Sequence, residues 1–159
     1  TQGEILAFFV RETIPAGLTP EVTIQRLRDQ GAVISVSHPY DRLRKGAWEE
    51  ADLTRIIDQV DAIEVFNARC IYREDNDKAI AFARQHGLTG TVGSDAHSPV
   101  EYGRAYLRMT PFNDAAGFRE SLRTAEHVNR YSSVFVHGSS TLAKWLKKLG
   151  LKPRRWAGG

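Results

Sequence analysis

The run Leu88-Thr89-Gly90-Thr91-Val92 leads directly into Gly93-Ser94-Asp95-Ala96-His97-Ser98-Pro99, and no other stretch constrains the chain as strongly. It reads as a short strand of apolar and β-branched residues that ends in a turn at Ser98-Pro99. On extended backbone, residues two apart point to the same side. Asp95 and His97 can therefore converge just past the strand's C-terminal end, where parallel α/β sheets and barrels build their sites. An oxygen and a nitrogen donor held this way suit Zn, Mn or Fe better than Ca or Mg. A second histidine, in Ser37-His38-Pro39-Tyr40-Asp41, follows another buried-looking run at 32–36 in the same manner.

The rest of the chain repeats that alternation of strand and helix. Residues 5–10 read as a strand and 13–18 as a Pro/Gly loop. Thr19-Pro20-Glu21 opens a helix, with Thr as N-cap and Pro in the first turn, and Gly31 closes it. Apolar residues at helical spacing predict further helices at 49–60, 74–86 and 114–124, with strands at 32–36, 62–66, 89–92 and 105–109. Residues 128–136 fit either a turn or an extended arm. A last helix is expected at 139–149, with Leu142, Trp145, Leu146 and Leu149 on one face. Apolar strands alternating with helices imply a mostly parallel α/β layout, either a small open sheet or part of a barrel.

Size and charge narrow the class. A chain of 159 residues is about one domain. The net charge of +3 is uneven, because residues 144–155 hold six basic side chains and no acid, which leaves the rest at −3. That distribution argues against a surface devoted wholly to nucleic acid, though the basic C-terminal helix could touch phosphates. Cys70 is the only cysteine, so a disulfide framework is excluded and a cytoplasmic setting is expected. No apolar run approaches the ~20 residues of a spanning helix. Thr1-Gln2-Gly3-Glu4 has neither the basic start nor the apolar core of a signal peptide.

Each candidate residue also has a plain structural reading. Asp95 can cap a turn, and His97 can bond a carbonyl. Glu64, inside the third strand run, reads as a supporting or core-edge acid. Asn67 and Arg69, at the end of that run, can bind a substrate oxyanion or form a surface salt bridge. Glu4 is either a metal carboxylate at a strand start or a solvated acid. A Gly-rich phosphate loop is absent.

At Ile34-Ser35-Val36-Ser37-His38-Pro39-Tyr40-Asp41, Asp61-Ala62-Ile63-Glu64-Val65-Phe66-Asn67 and Val92-Gly93-Ser94-Asp95-Ala96-His97, the chain resembles the PHP (polymerase and histidinol phosphatase) family of metal-dependent phosphoesterases. The resemblance implies a partial, distorted (β/α)7 barrel over residues 1–150 with a basic, frayed tail at 151–159. It also implies two or three divalent metal ions at the barrel's C-terminal mouth. His38, Asp95 and His97 match metal ligands, and the same three would carry the catalysis. Glu4 falls near a ligand position, while Tyr40, Asn67 and Arg69 lie where substrate-binding groups are expected. Relatives open with a His-x-His strand that this sequence lacks, so the expectation is the C-terminal portion of a longer enzyme, weakly active or inactive alone.

The expected reaction is metal-assisted hydrolysis of a small phosphorylated metabolite or nucleotide. The alternatives are a non-catalytic phosphate- or nucleic-acid-binding assembly module with a degenerate metal site, and a metal-dependent amidohydrolase. No membrane contact is expected.

Overall fold

The computed structural model describes residues 3–44 and 47–133. The expected helix at 139–149 and the basic tail lie outside them. Six strands and four helices alternate in the order β1 (Glu4–Phe8), α1 (Pro20–Asp29), β2 (Val33–Ser37), α2 (Glu50–Ile56), β3 (Ala62–Asn67), α3 (Arg73–Gln85), β4 (Thr89–Gly93), β5 (Ala105–Arg108), α4 (Ala115–Arg123) and β6 (Glu126–Asn129). The predicted elements recur within a few residues of these bounds. The helix expected at 49–60 ends its α-helical part at Ile56 and finishes as a 3-10 turn, Ile57–Gln59. Local chemistry explains the ends of two helices. Thr19 caps α1, accepting from the Val22 amide at 3.4 Å, and Asp114 caps α4, accepting from the Gly117 amide at 2.7 Å.

The sheet order is β1-β2-β3-β4, with β2, β3 and β4 parallel. The structure corrects the sequence reading at β1, which runs antiparallel to β2, Glu4 facing Ser37 and Phe8 facing Val33. The stretch from Phe9 to Thr19 is long enough to retrace the strand's full height before α1 begins, so this strand is free to run the other way. Within this sheet β1 shows an exposed, alternating edge pattern, while β2 and β3 are buried throughout. A second sheet holds β5 and β6, paired antiparallel. Among the described residues no closed barrel forms.

One face of the main sheet is apolar and covered by helices. Ile34, Val36, Ile63 and Val65 pack there with Ile24 and Leu27 of α1, Leu53 and Ile56 of α2, and Phe82 of α3. The opposite face changes character along its length. At the N-terminal ends of the strands, Val33 and Ala62 meet Phe118 and Leu122 of α4. Toward the C-terminal ends it turns polar: the hydroxyls of Ser35 and Thr91 lie 2.9 Å apart, and Ser37 approaches Glu64. Buried hydroxyls and a carboxylate are costly without partners, so this polar strip leads the eye to the strand ends. Among the described residues no helix is long and apolar enough to cross a membrane.

Asp61 fastens α4 to the bottom of the sheet. One carboxylate oxygen accepts from the Ile34 amide at 2.8 Å and the other from Arg119 Nε at 2.8 Å. Arg119 also donates to the Ala32 carbonyl at 2.7 Å. Asp61→Ala strands the Ile34 amide and takes the carboxylate from Arg119, which keeps its bond to the Ala32 carbonyl, whereas Arg119→Ala leaves the Asp61–Ile34 bond in place. Urea unfolding should show a loss of about 1–3 kcal/mol for Asp61→Ala and a smaller one for Arg119→Ala.

Candidate metal centre at the strand ends

Just past the C-terminal ends of β2 and β4, His38 at φ 27° and Asp95 at φ 47° have left-handed backbone. That region is uncommon for residues with a Cβ, although Asp and His enter it more readily than most, and Phe9 beyond β1 shares it at φ 63°. Between β2 and β4, β3 supplies the group that holds both ends. Glu64 is buried, and its Oε2 accepts from the His38 amide at 2.7 Å and from Asn67 Nδ2 at 3.3 Å. Asn67 Nδ2 also reaches Asp95 Oδ2 at 3.4 Å. One amide group thus ties the acid of β3 to the acid beyond β4. Burial pushes the Glu64 carboxyl above its usual range, against the pull of the His38 amide and the Asn67 side chain.

Gly93, the last residue of β4, makes room for this arrangement. A Cβ built there would lie 2.2 Å from Glu64 Oε1. A register shift between Glu64 and Phe66, with Val65 as the extra residue, accompanies the same stretch.

The donors meet as two pairs. His38 Nε2 lies 3.3 Å from Glu4 Oε2, an approach that the antiparallel course of β1 makes available. His97 Nδ1 lies 2.8 Å from the Asp95 carbonyl oxygen and 3.8 Å from Asp95 Oδ1. A carbonyl only accepts, so Nδ1 carries the proton and the lone pair of the neutral ring sits on Nε2. Arg44 pairs with Asp95 Oδ2 and lies within 3.4 Å of Asp41 Oδ2, so a guanidinium supplies positive charge beside the acid.

Donor types fit a divalent metal: two imidazoles and up to three carboxylates at one end of a sheet. The four side chains expected as ligands (His38, Asp95, His97 and Glu4) do not form one closed cage. Among the described residues, the group of three donors lying within 4.8 Å of one another is Asp41, Cys70 and Asp75. That group is already satisfied internally. Arg42 Nε donates to Asp75 at 2.9 and 3.1 Å, Asp41 accepts from the Leu43 amide at 3.1 Å, and Cys70 Sγ donates to the Tyr72 carbonyl at 3.3 Å.

The residues expected at the substrate are placed as follows. Asn67 faces the site but is engaged there, its Oδ1 accepting the Arg69 amide at 2.9 Å. Arg69 is buried and forms an ion pair with Glu101 at 2.7 Å. Tyr40 packs with the helix-side core, edge-on to Phe82 at 6.0 Å, and burial, helped by the charge on Glu50, pushes its hydroxyl up to about 12.

Sequence reasoning passed over Arg44, Gly93 and Glu101. Glu101 had a legible signal, since Ser98-Pro99-Val100-Glu101 has the spacing of a capping box. Burial works against the Glu101 charge, yet the Ser98 hydroxyl, the His97 amide and Arg69 together hold its carboxyl below the usual range.

Residues 73–126 match the family described as PHP-associated. Uncharacterized protein MJ0417 of Methanocaldococcus jannaschii is 35% identical over 114 residues, covering 70% of this chain and 48% of its own length. The chain thus spans about half of that relative. Two crystal structures share the fold. PsfC of Pseudomonas syringae superposes with a TM-score of 0.56 at 20% identity, over 87% of this chain and 56% of PsfC. A two-domain protein of Bacteroides vulgatus, containing a predicted PHP-like metal-dependent phosphoesterase, gives 0.56 at 20% identity over 79% and 40%.

Two measurements check the site's construction. Gly93→Ala forces the buried Glu64 carboxylate out of its bonds, and denaturant unfolding should register a loss of about 1–3 kcal/mol; an unchanged midpoint would mean that the carboxylate moves aside freely. Cys70 ordinarily ionises near 9.0, and burial, reinforced by Asp41 and Asp75, lifts it to about 12. The upward shift means the folded chain keeps this proton where the unfolded chain releases it. Its contribution to stability is therefore full below pH 9.0 and is lost as pH climbs toward 12. At pH 8 the native thiol should resist an aromatic disulfide reagent and react promptly only after unfolding.

Proposed function

We propose that this chain contributes His38, Asp95 and His97 to the divalent-metal centre of a phosphoester hydrolase acting on a small phosphorylated metabolite or nucleotide. The observation that carries the reading is the pair of left-handed residues, His38 and Asp95, held over one buried carboxylate at the ends of β2 and β4.

His97 would offer Nε2, because its Nδ1 is committed to the Asp95 carbonyl. His38 would have to give up its contact with Glu4 or share the ion with it. Asp95 would exchange its bond with Arg44 for the metal, and the released guanidinium would then face the phosphoryl oxygens. Glu64 and Asn67 hold the two strand ends at a fixed separation throughout. A bound divalent ion would supply a water acidic enough to act as nucleophile near neutral pH and would stabilise charge on the phosphoryl group.

Each pair offers few donors against the four that zinc takes, so further donors or solvent must complete the shell. That incompleteness favours, as the second reading, a phosphate-binding or assembly module whose metal site is degenerate. The decisive experiment uses the polypeptide as it occurs naturally, supplied with Mn2+ or Zn2+ and p-nitrophenyl phosphate. Metal-dependent turnover should fall by about 100-fold or more in Asp95→Ala and His97→Ala. Turnover indifferent to both substitutions overturns the assignment. Phosphate binding without turnover supports the module.

A further inference from the structure

The loop that presents Asp95 and His97 is clamped from behind by one carboxylate. Glu101 is 1% exposed and divides its two oxygens between different parts of the chain. Oε1 takes Arg69 Nη1 at 2.7 Å, reaching the segment that follows β3. Oε2 accepts from the His97 amide at 3.0 Å and from the Ser98 hydroxyl at 2.7 Å. A capping box turns its acid back onto the N-cap amide. Here the acid reaches one residue further, to His97 itself, and the short 3-10 turn Pro99–Glu101 supplies the required bend.

We propose that Glu101 is a positioning residue for the candidate metal centre: through the His97 amide and the Ser98 hydroxyl it fixes the orientation of the His97 ring, with Arg69 as the buried counter-charge. The inference rests on the metal reading of His97 and adds a residue to it. It also gives Arg69 a role in holding the site rather than in touching substrate. The left-handed turn at Asp95 and the Nδ1–carbonyl bond of His97 both lie within the clamped loop, so the clamp governs where Nε2 points.

Glu101→Gln keeps the volume but has only one accepting oxygen for two sets of donors. The test is Zn2+ affinity of the full chain, measured by competition with a chromogenic chelator, in wild type, Glu101→Gln, His97→Ala and the double variant. Amide hydrogen exchange at His97 without metal is read in parallel. Glu101→Gln should weaken Zn2+ binding by about tenfold and speed His97 exchange by a similar factor. In the His97→Ala background the same substitution should change affinity by less than about twofold, because the residue it acts through is gone.

Wild-type affinity in Glu101→Gln, or an equal loss in both backgrounds, overturns the proposal by showing no effect or only general loosening. Zn2+ binding indifferent to His97→Ala, with exchange still accelerated, identifies the metal reading as the failed step and reduces the clamp to a structural bond. Should Glu101→Gln fail to fold, Ser98→Ala removes one arm and leaves the ion pair intact. It should weaken binding by about threefold, again only while His97 is present.

Discussion

A buried carboxylate at the centre of the sheet sets the terms for everything near it. Glu64 cannot lie in the interior without partners, and the groups that satisfy it are the His38 amide, the Ser37 hydroxyl and the Asn67 side chain. Each belongs to a strand end that carries a candidate functional group. The cost of burying one acid is thereby converted into a fixed relation between β2, β3 and the loop after β4. Gly93 is part of the same constraint, because any side chain there would occupy the space of the carboxylate.

A second buried acid repeats the device one layer out. Glu101 gathers Arg69, His97 and Ser98 as Glu64 gathers Ser37, His38 and Asn67. The two networks meet at Asn67, whose Oδ1 accepts the Arg69 amide while its Nδ2 spans Glu64 and Asp95. A disturbance at either acid therefore has a short covalent and hydrogen-bonded route to both histidines. Asp41, Cys70 and Asp75 form a neighbouring cluster in which arginines take the role of the cation, and Arg44 links its Asp41 to Asp95.

Most of the fold was legible because apolar periodicity reports burial. The runs at 32–36 and 62–66 read as buried strands and are buried throughout, and Thr19-Pro20 announced its helix by capping chemistry. The direction of β1 was not legible. Its apolar residues fit either orientation, and the length of the following loop, not the strand, allowed it to reverse. At the candidate site, Asp95, His97 and His38 stood out by residue type and by their places after β2 and β4. Arg69 left two readings open, because an arginine at a strand end has the same local signature whether it faces a ligand or an acid; the fold brings Glu101 to within 2.7 Å of it. Gly93 and Arg44 gave no warning, since their roles depend on strands far apart in sequence.

The left-handed turns at His38 and Asp95 have a consequence for variation at these positions. Glycine or asparagine would relax the backbone at either site, so a library of this chain screened for heat resistance alone should drift toward them. A screen that also demands cation capture should hold histidine and aspartate in place. The difference between the two populations would reveal which demand shaped this end of the sheet.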